Sequence, residues 1–365
     1  MRSAPSCAIH ILPHVPSSAC GVADYAWSLA KRLREDEQVE SIFIGVQNAE
    51  GGAGHATVAF PAEILPSPSS AALLEVIERH RENAACLILH FSPYGYQKRG
   101  VALWLAEAWK QLSSNLRIPR RIVMFHEVAA SSSPLQSAFW LRPLQHRVAR
   151  SLLFNSDFVM TNCELNRREI QRSSRSVNAN VPILPVFSNF GEPSEMRSFS
   201  ARERQIILFT SNLSSQHGIK DIWSELQNAV VQAGAQRIVM IGKSVVIPSE
   251  FSVPVYQTGF LTMEQVSQML AESAFGFAFV GPQLFAKSGI FAAFAAHGVI
   301  PLVPVPDATL WDGLRAGEHY VRPVKMSDLS DPEAIQRSLQ CWYSGHSQRA
   351  TARLFAQQIL TPSIE

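Results

Sequence analysis

The chain has 365 residues, of which 47% are apolar and 17% charged, with a formal net charge of +2 and five cysteines. That length supports about two domains with substantial cores, in a globular composition without a disordered tail. The near balance of charge, with no Lys/Arg block, argues against an extended nucleic-acid footprint, so nucleic acid is not expected as a partner. No apolar run reaches the roughly 18 residues of a membrane span. The stretch MRSAPSCAIHILPHV is broken by His10, Pro13 and His14, which suits a first strand better than a signal peptide. Cys7, Cys20, Cys86, Cys163 and Cys341 are odd in number and widely spaced, without zinc spacing or a disulfide framework. They point to a reducing compartment, and the cytoplasm is the expected location.

Short apolar runs alternate with helical patterns along the first half. Strands are predicted at 7–12 (CAIHIL), 41–46 (SIFIGV), 85–91 (ACLILHF), 121–126 (RIVMFH) and 158–161 (FVMT), with a weaker signal at 183–187 (ILPVF). Helices are predicted near 22–34, 70–81, 102–112, 135–153 and 166–173; the aromatic face of 134–147 is expected in the core. The second half repeats the pattern, with strands at 205–210, 237–241, 254–258, 275–279 and 300–303 and helices near 219–234, 263–273 and 288–297. Thr262 and Gln265 have capping-box spacing. Apolar strands separated by helices signal parallel sheets covered on both faces. The segment 185–202, rich in Ser, Pro and Gly, fits an interdomain connector. The expected division is 1–190, 191–340 and a helical segment 341–365 that crosses back to the first domain.

Two such domains in tandem would place the carboxyl ends of two parallel sheets across one cleft, and ligands bind at those ends. After the first strand, PSSACGVADY leads into a helix, with Gly21 allowing close backbone approach and Asp24 in the first turn. After the third, HFSPYGYQKRG offers Tyr94, Tyr96, Lys98 and Arg99 to a polyhydroxylated or phosphorylated ligand, or simply to water. After the fourth, His126 and Glu127 end a strand, where an imidazole can hydrogen-bond a transition state or serve structure alone. In the second half, TSNLSSQHG (210–218) is a donor-rich loop before a helix, suited to an anion or to helix capping. Ile241-Gly242-Lys243-Ser244 resembles a Walker A ending, but Arg237 stands where that motif needs Gly, so a P-loop is rejected.

The stretch 284–304, LFAKSGIFAAFAAHGVIPLVP, organises the remainder. Ile290, Phe291, Phe294 and Ala295 fall at helical spacing and predict one apolar face, Gly298 stops the helix, and a buried strand follows. Lys287, Ser288 and Gly289 then sit at a helix start, where unpaired N–H groups and the positive end of the dipole can receive a phosphate. A solvated lysine on a plain βαβ crossover is the alternative.

Taken together, these elements resemble a GT-B glycosyltransferase of the retaining, family-4-like group that uses nucleotide-sugar donors. SSACGVADYAWSLAKRL, HFSPYGYQKRG, FHE (125–127), PVFSNFGE (185–192) and AKSGIFAAFAAHG carry the resemblance, which covers roughly residues 9–304. It implies an α/β, GT-B fold with two Rossmann-like domains facing a central cleft. It matches Gly21 to the family's donor-phosphate glycine and His126 to the histidine beside the reacting sugar. The chain departs from the family in two places. The usual Arg/Lys pair that clamps the diphosphate falls at Asn212 and His217, and the usual pair of glutamates falls at Phe285 and Ala293.

The expected function is transfer of a sugar from a nucleotide sugar to a glycan or lipid-linked acceptor. His126 and Lys287 are assigned catalytic roles. Gly21, Ser211, Asn212, His217, Gly218, Gly242, Phe260, Ser288 and Gly289 are assigned to the donor, and Asp24, Tyr94, Tyr96 and Glu127 to the acceptor. No cofactor and no metal is expected, since no Asp-x-Asp pair is present to hold a divalent ion. Peripheral membrane contact stays open, without a strongly basic amphipathic helix to argue for it. Two rival readings also stay open: a catalytically silent glycan- or partner-binding protein, and a nucleotide-sugar epimerase.

Overall fold

The computed structural model describes residues 6–15, 20–47, 59–115, 120–129, 137–174, 180–210, 213, 219–248, 251–305 and 309–361. The chain divides into two compact units, Met1–Pro185 with Gln348–Glu365 and Val186–Ser347.

The first unit is built on six parallel strands: β1 (Cys7–His14), β2 (Glu40–Gln47), β3 (Ala62–Ile64), β4 (Ala84–Phe91), β5 (Arg121–Phe125) and β6 (Phe158–Thr161). Their order is β3-β2-β1-β4-β5-β6, the doubly wound arrangement in which the chain reverses direction beside β1. Covering helices are α1 (Gly21–Glu37), α2 (Ser70–His80), α3 (Leu103–Asn115), α4 (Arg142–Phe154) and α5 (Glu164–Ser174). Ile9, Ile11, Leu87, Leu89 and Val123 bury one face of the sheet against these helices, and Leu12, Ala26, Ala30 and Phe43 form a smaller cluster on the other. The run at 183–187 makes no strand; Ile183 forms only an isolated bridge to Thr161. The three-residue strand β3 carries no apolar run and was not foreseen.

The second unit has five parallel strands: β7 (Glu203–Phe209), β8 (Arg237–Ile241), β9 (Val255–Gly259), β10 (Ser273–Phe277) and β11 (Ile300–Leu302), in the order β11-β10-β7-β8-β9. Its helices are α6 (Ile219–Ala233), α7 (Met263–Glu272), α8 (Gly289–His297) and α9 (Pro332–Ser344), and α10 (Gln348–Leu360) returns to the first unit against α1. Thr262 and Gln265 form the capping box at the start of α7. The segment from Val186 is tied into the second unit and is no loose connector. Val186 N–H donates to Ala286 O at 2.8 Å, and the Tyr343 hydroxyl donates to Glu192 at 2.7 Å.

Arg202 closes the ends of two helices. Its guanidinium donates to Leu270 O, Ser273 O and His297 O, the carbonyls left over where α7 and α8 stop. Gly298 takes the left-handed conformation after α8, with φ of 66°. The single apolar face predicted for α8 is in fact a surface buried all round from Phe291 to His297. This crossover is enclosed by aromatic neighbours: Phe285 stacks on Phe291 at 4.3 Å, Trp342 meets Phe291 edge-on, and Phe294 reaches the sheet. At Gly276 in β10 an added Cβ would lie 2.4 Å from the Phe294 ring, so only glycine lets α8 settle on the strand.

Candidate functional site

In the first unit the polar residues gather at the carboxyl ends of β1, β4 and β5. His126 directly follows β5, its N–H donating to Phe91 O at 2.9 Å. Its carbonyl accepts from Asn166 Nδ2 at 2.9 Å, so the backbone here is held from two sides. The ring is 6% exposed, and Tyr25 of α1 meets it edge-on with centroids 5.1 Å apart. Glu127 is half-buried and accepts from Ser92 Oγ at 3.3 Å. Asp24, also half-buried, lies in the first turn of α1, and loss of hydration pushes its carboxyl up to about 6. Gly21 opens α1; an added Cβ would meet nothing within 4 Å, so packing does not require glycine there.

The two tyrosines of the aromatic loop separate. Tyr94 is 44% exposed, whereas Tyr96 is fully buried with its hydroxyl within 2.9 Å of both Ile11 O and His90 O. Tyr96 is therefore a core residue and cannot touch an acceptor, which corrects its assignment. The turn Pro93–Tyr96 folds back so closely on Pro13 that Gly95 has no room for a side chain, an added Cβ falling 2.6 Å from that ring. That close packing turns Tyr96 inward. Lys98 and Arg99 are exposed.

In the second unit the corresponding edge is made by the ends of β7, β8, β9 and β10 and the start of α8. Ser211, Asn212, His217 and Gly218 lie outside the described residues. Thr210 is buried and donates to Lys243 O at 2.7 Å. Gly242 adopts φ of 114°, and its N–H donates to Gly259 O at 2.9 Å, tying the ends of β8 and β9 together. Phe260, just beyond, is 82% exposed.

Ser288 is the N-cap of α8, its Oγ accepting from Phe291 N–H at 3.2 Å. An accepting hydroxyl still has its own hydrogen to donate. Lys287 is half-buried at the end of the turn Pro282–Lys287, directly before that cap. A cavity of about 50 Å³ opens beside them, lined by Phe209, Phe277, Phe279, Val280, Ser288 and Ile290. Phe285 and Ala293, which the resemblance matches to a pair of glutamates, are both fully buried. Phe285 packs between Phe291 and Tyr320. The fold thus uses these two positions as core.

The stretch 134–147, expected to bury an aromatic face, does so only in part, with Phe139 half-buried and Trp140 exposed. Trp140 is 73% and Phe154 63% exposed, and α4 with α5 lines a groove of about 700 Å³ carrying His146, Arg147, Arg150 and Arg172. Among the described residues Glu169 alone answers Arg142, His146 and Arg172, at 3.3, 3.4 and 2.6 Å. Apolar periodicity placed this helix, but only the fold shows which flank stays open. No helix among the described residues is long and apolar enough to cross a membrane.

No protein-family model matches the chain, and no curated protein matches it. Solved structures do. A glycosyltransferase from Rickettsia africae ESF-5 is 11% identical with a TM-score of 0.60, over 98% of this chain and 99% of that one. An α-glucosyltransferase in complex with UDP and a 13-mer DNA containing a HMU base is 11% identical with a TM-score of 0.59, over 98% and 100%. A putative UDP-N-acetylglucosamine 2-epimerase from Listeria monocytogenes is 13% identical with a TM-score of 0.56, over 97% and 96%.

The DNA-bound structure overturns the exclusion of nucleic acid drawn from net charge. A protein of this fold binds DNA, and in this chain the near-neutral sum conceals an uneven distribution. Residues 137–174 hold six arginines against Asp157, Glu164 and Glu169. At such identities the likeness speaks for the architecture, and the architecture is clear: this chain has the GT-B fold, with a parallel Rossmann-like sheet in each of its two units.

Proposed function

We propose that the chain is a nucleotide-sugar-dependent glycosyltransferase that passes a hexosyl group, with retention, to a glycan or lipid-linked acceptor in the cytoplasm. The observation that carries this reading is the start of α8. A capped helix N-terminus follows Lys287 at the carboxyl edge of a GT-B sheet, where a departing diphosphate needs stabilisation. In the proposal Lys287, Ser288 and Gly289 hold the diphosphate with the loop residues Ser211, Asn212, His217 and Gly218. Gly242 and Phe260 flank the base. Asp24, Tyr94 and Glu127 bind the acceptor, and His126 hydrogen-bonds the transferring sugar. The proposal assigns no metal, because charge neutralisation falls to Lys287 and the helix start.

The burial of Phe285 and Ala293 gives specific support to the silent binding protein, and the epimerase neighbour to an epimerase. One experiment separates the three. The protein is incubated with a panel of nucleotide sugars, with and without glycan and lipid-linked acceptors, and the products are resolved. Free nucleoside diphosphate together with a glycosylated product supports transfer; an altered free nucleotide sugar selects the epimerase; no change selects the silent protein. In the active case Lys287→Ala is expected to lower kcat/KM by about 100-fold, the loss typical of one transition-state charge contact. Unchanged kinetics would remove Lys287 from the mechanism.

A further inference from the structure

His126 does not stand alone. His10 on β1, His90 on β4 and His126 after β5 lie on three adjacent strands, and the parallel register steps them diagonally across one face. His10 is opposite Ile88, two residues before His90, and His90 is opposite Met124, two residues before His126. His10 Nδ1 is 3.1 Å from His90 Nε2, and His90 Nδ1 is 3.3 Å from His126 Nε2. The ring centroids are 5.4 and 5.5 Å apart at interplanar angles of 12° and 25°. With such short N···N contacts, those separations mean rings joined edge to edge in nearly one plane, which is N–H···N geometry. Tyr25 closes the row by meeting both His90 and His126 edge-on.

Burial keeps His10 and His90 neutral. Loss of hydration lowers His10 to about 3, and His90 is driven well below the ordinary range by burial and then by its two histidine neighbours. A neutral imidazole carries one hydrogen and one lone pair. With His126 neutral as well, which the proposal below requires, three rings bring three hydrogens, and the two N···N contacts use one each. The third must sit at one end of the row, on His10 Nε2 or on His126 Nδ1. His10 Nε2 is buried without a hydrogen-bond partner among the described residues, and the Phe43 ring, 5.3 Å from His10 between centroids, offers no lone pair. A buried N–H with no acceptor is the rarer kind of defect in proteins, and a bare acceptor the more tolerated one.

We propose that His10 and His90 are positioning residues that polarise the row in one direction, so that His126 is held as a neutral Nδ1–H donor. His10 Nδ1–H donates to His90 Nε2, His90 Nδ1–H donates to His126 Nε2, and His126 keeps its hydrogen on Nδ1. Its Nε2 lone pair is occupied, so His126 has no lone pair with which to act as a general base. It recognises an oxygen that accepts: a sugar hydroxyl oxygen or a phosphate oxygen. That last consequence rests on the transferase reading; the direction of the row does not.

The test is two-bond 1H–15N correlation NMR of protein labelled with 15N-histidine at pH 7.5, with the His126 signals assigned by their loss in His126→Leu. All three rings are expected as Nδ1–H tautomers, opposite to the Nε2–H form that histidine favours in water. In His90→Leu, His126 is expected to move to Nε2–H, and kcat/KM for any transferred sugar to fall about 10- to 100-fold, as when the partner that fixes a functional imidazole is removed. An Nε2–H or doubly protonated His126 in the unmodified protein overturns the proposal, and that spectrum needs no variant to fold. A His126 that stays Nδ1–H in a folded His90→Leu overturns the role of His90. The predicted spectrum without any sugar transfer would sink the transferase and leave the row standing; transfer with a reversed His126 would do the converse.

Discussion

Lowering the pH from 7 to 5 is expected to destabilise both units strongly. Among the buried histidines, burial disfavours the charged form most in His10 and His90 of the first unit and in His297 and His346 of the second. Burial lowers His10 and His346 to about 3 and His297 to about 4, the last lowered further by Arg202 despite its bond to Ala293 O, and His90 also falls well below its ordinary value. A histidine that is harder to protonate when folded gives its full stabilisation above the unfolded value, about 6.5. It loses that stabilisation as pH falls from there towards the folded value. At pH 5 the unfolded chain gains about 2 kcal/mol from protonating each such ring.

Two rings in each unit then remove about 4 kcal/mol from it, a large part of the roughly 5–15 kcal/mol that holds an ordinary domain together. Asp24 acts in the opposite sense: its raised carboxyl favours the folded state as pH falls through about 6. One group returning about 1 kcal/mol at pH 5 does not offset the two rings of its unit. Urea unfolding followed by circular dichroism from pH 8 to 4 should show a plateau of stability above about pH 7 and a steep loss towards pH 5. Flat stability down to pH 4.5 would mean that these rings are not buried neutral.

Placing glutamate at Phe285, the residue type found there in the family this chain resembles, is expected to unfold the second unit rather than to restore catalysis. Phe285 is fully exposed nowhere; it is 0% accessible, stacked on Phe291 at 4.3 Å and set edge-on against Tyr320 at 5.1 Å. Removing such a buried ring costs about 3–5 kcal/mol in packing alone. The carboxylate adds the cost of a charge without a partner, or of the proton that neutralises it. Urea unfolding should show Phe285→Glu destabilised by at least about 4 kcal/mol, and Phe285→Leu by about 1.5 kcal/mol. A Glu variant within about 1 kcal/mol of the parent would show that the position opens to solvent. Gain of sugar transfer in that variant would refute the view that α8 is supported by an aromatic core.

The sequence carried most of the framework because its signals were local. The helix predicted over 288–297 forms at Gly289–His297 with Ser288 as its cap, and Gly298 ends it in the left-handed conformation that suits glycine. The strand predicted at 275–279 begins two residues earlier, at Ser273. That residue ends α7 and starts β10 at once, so no loop separates the two patterns. The strand order was not legible, since nothing local states that β1 pairs with β4.

The same limit hid the histidine row. His10 looked like a break in an apolar segment, His90 like the start of a loop, and His126 like a lone ring at a strand end. Only pairing across β1, β4 and β5 joins them. Tyr96 failed for a related reason, because its direction depends on how tightly Gly95 packs on Pro13. The loop 210–218 was assigned much of the donor site, and apart from Thr210 and Leu213 it lies outside the described residues.

The most direct test of the transferase reading is the melting temperature of the purified protein against a panel of nucleoside diphosphates and nucleotide sugars. A ligand that binds only the folded state raises the melting temperature as its concentration rises, by about 2.7 kcal/mol of stability at 100 times Kd. A concentration-dependent rise is expected with at least one nucleoside diphosphate or its sugar, and its loss in Lys287→Ala. No rise with any member of the panel would contradict it and leave a GT-B protein without a donor.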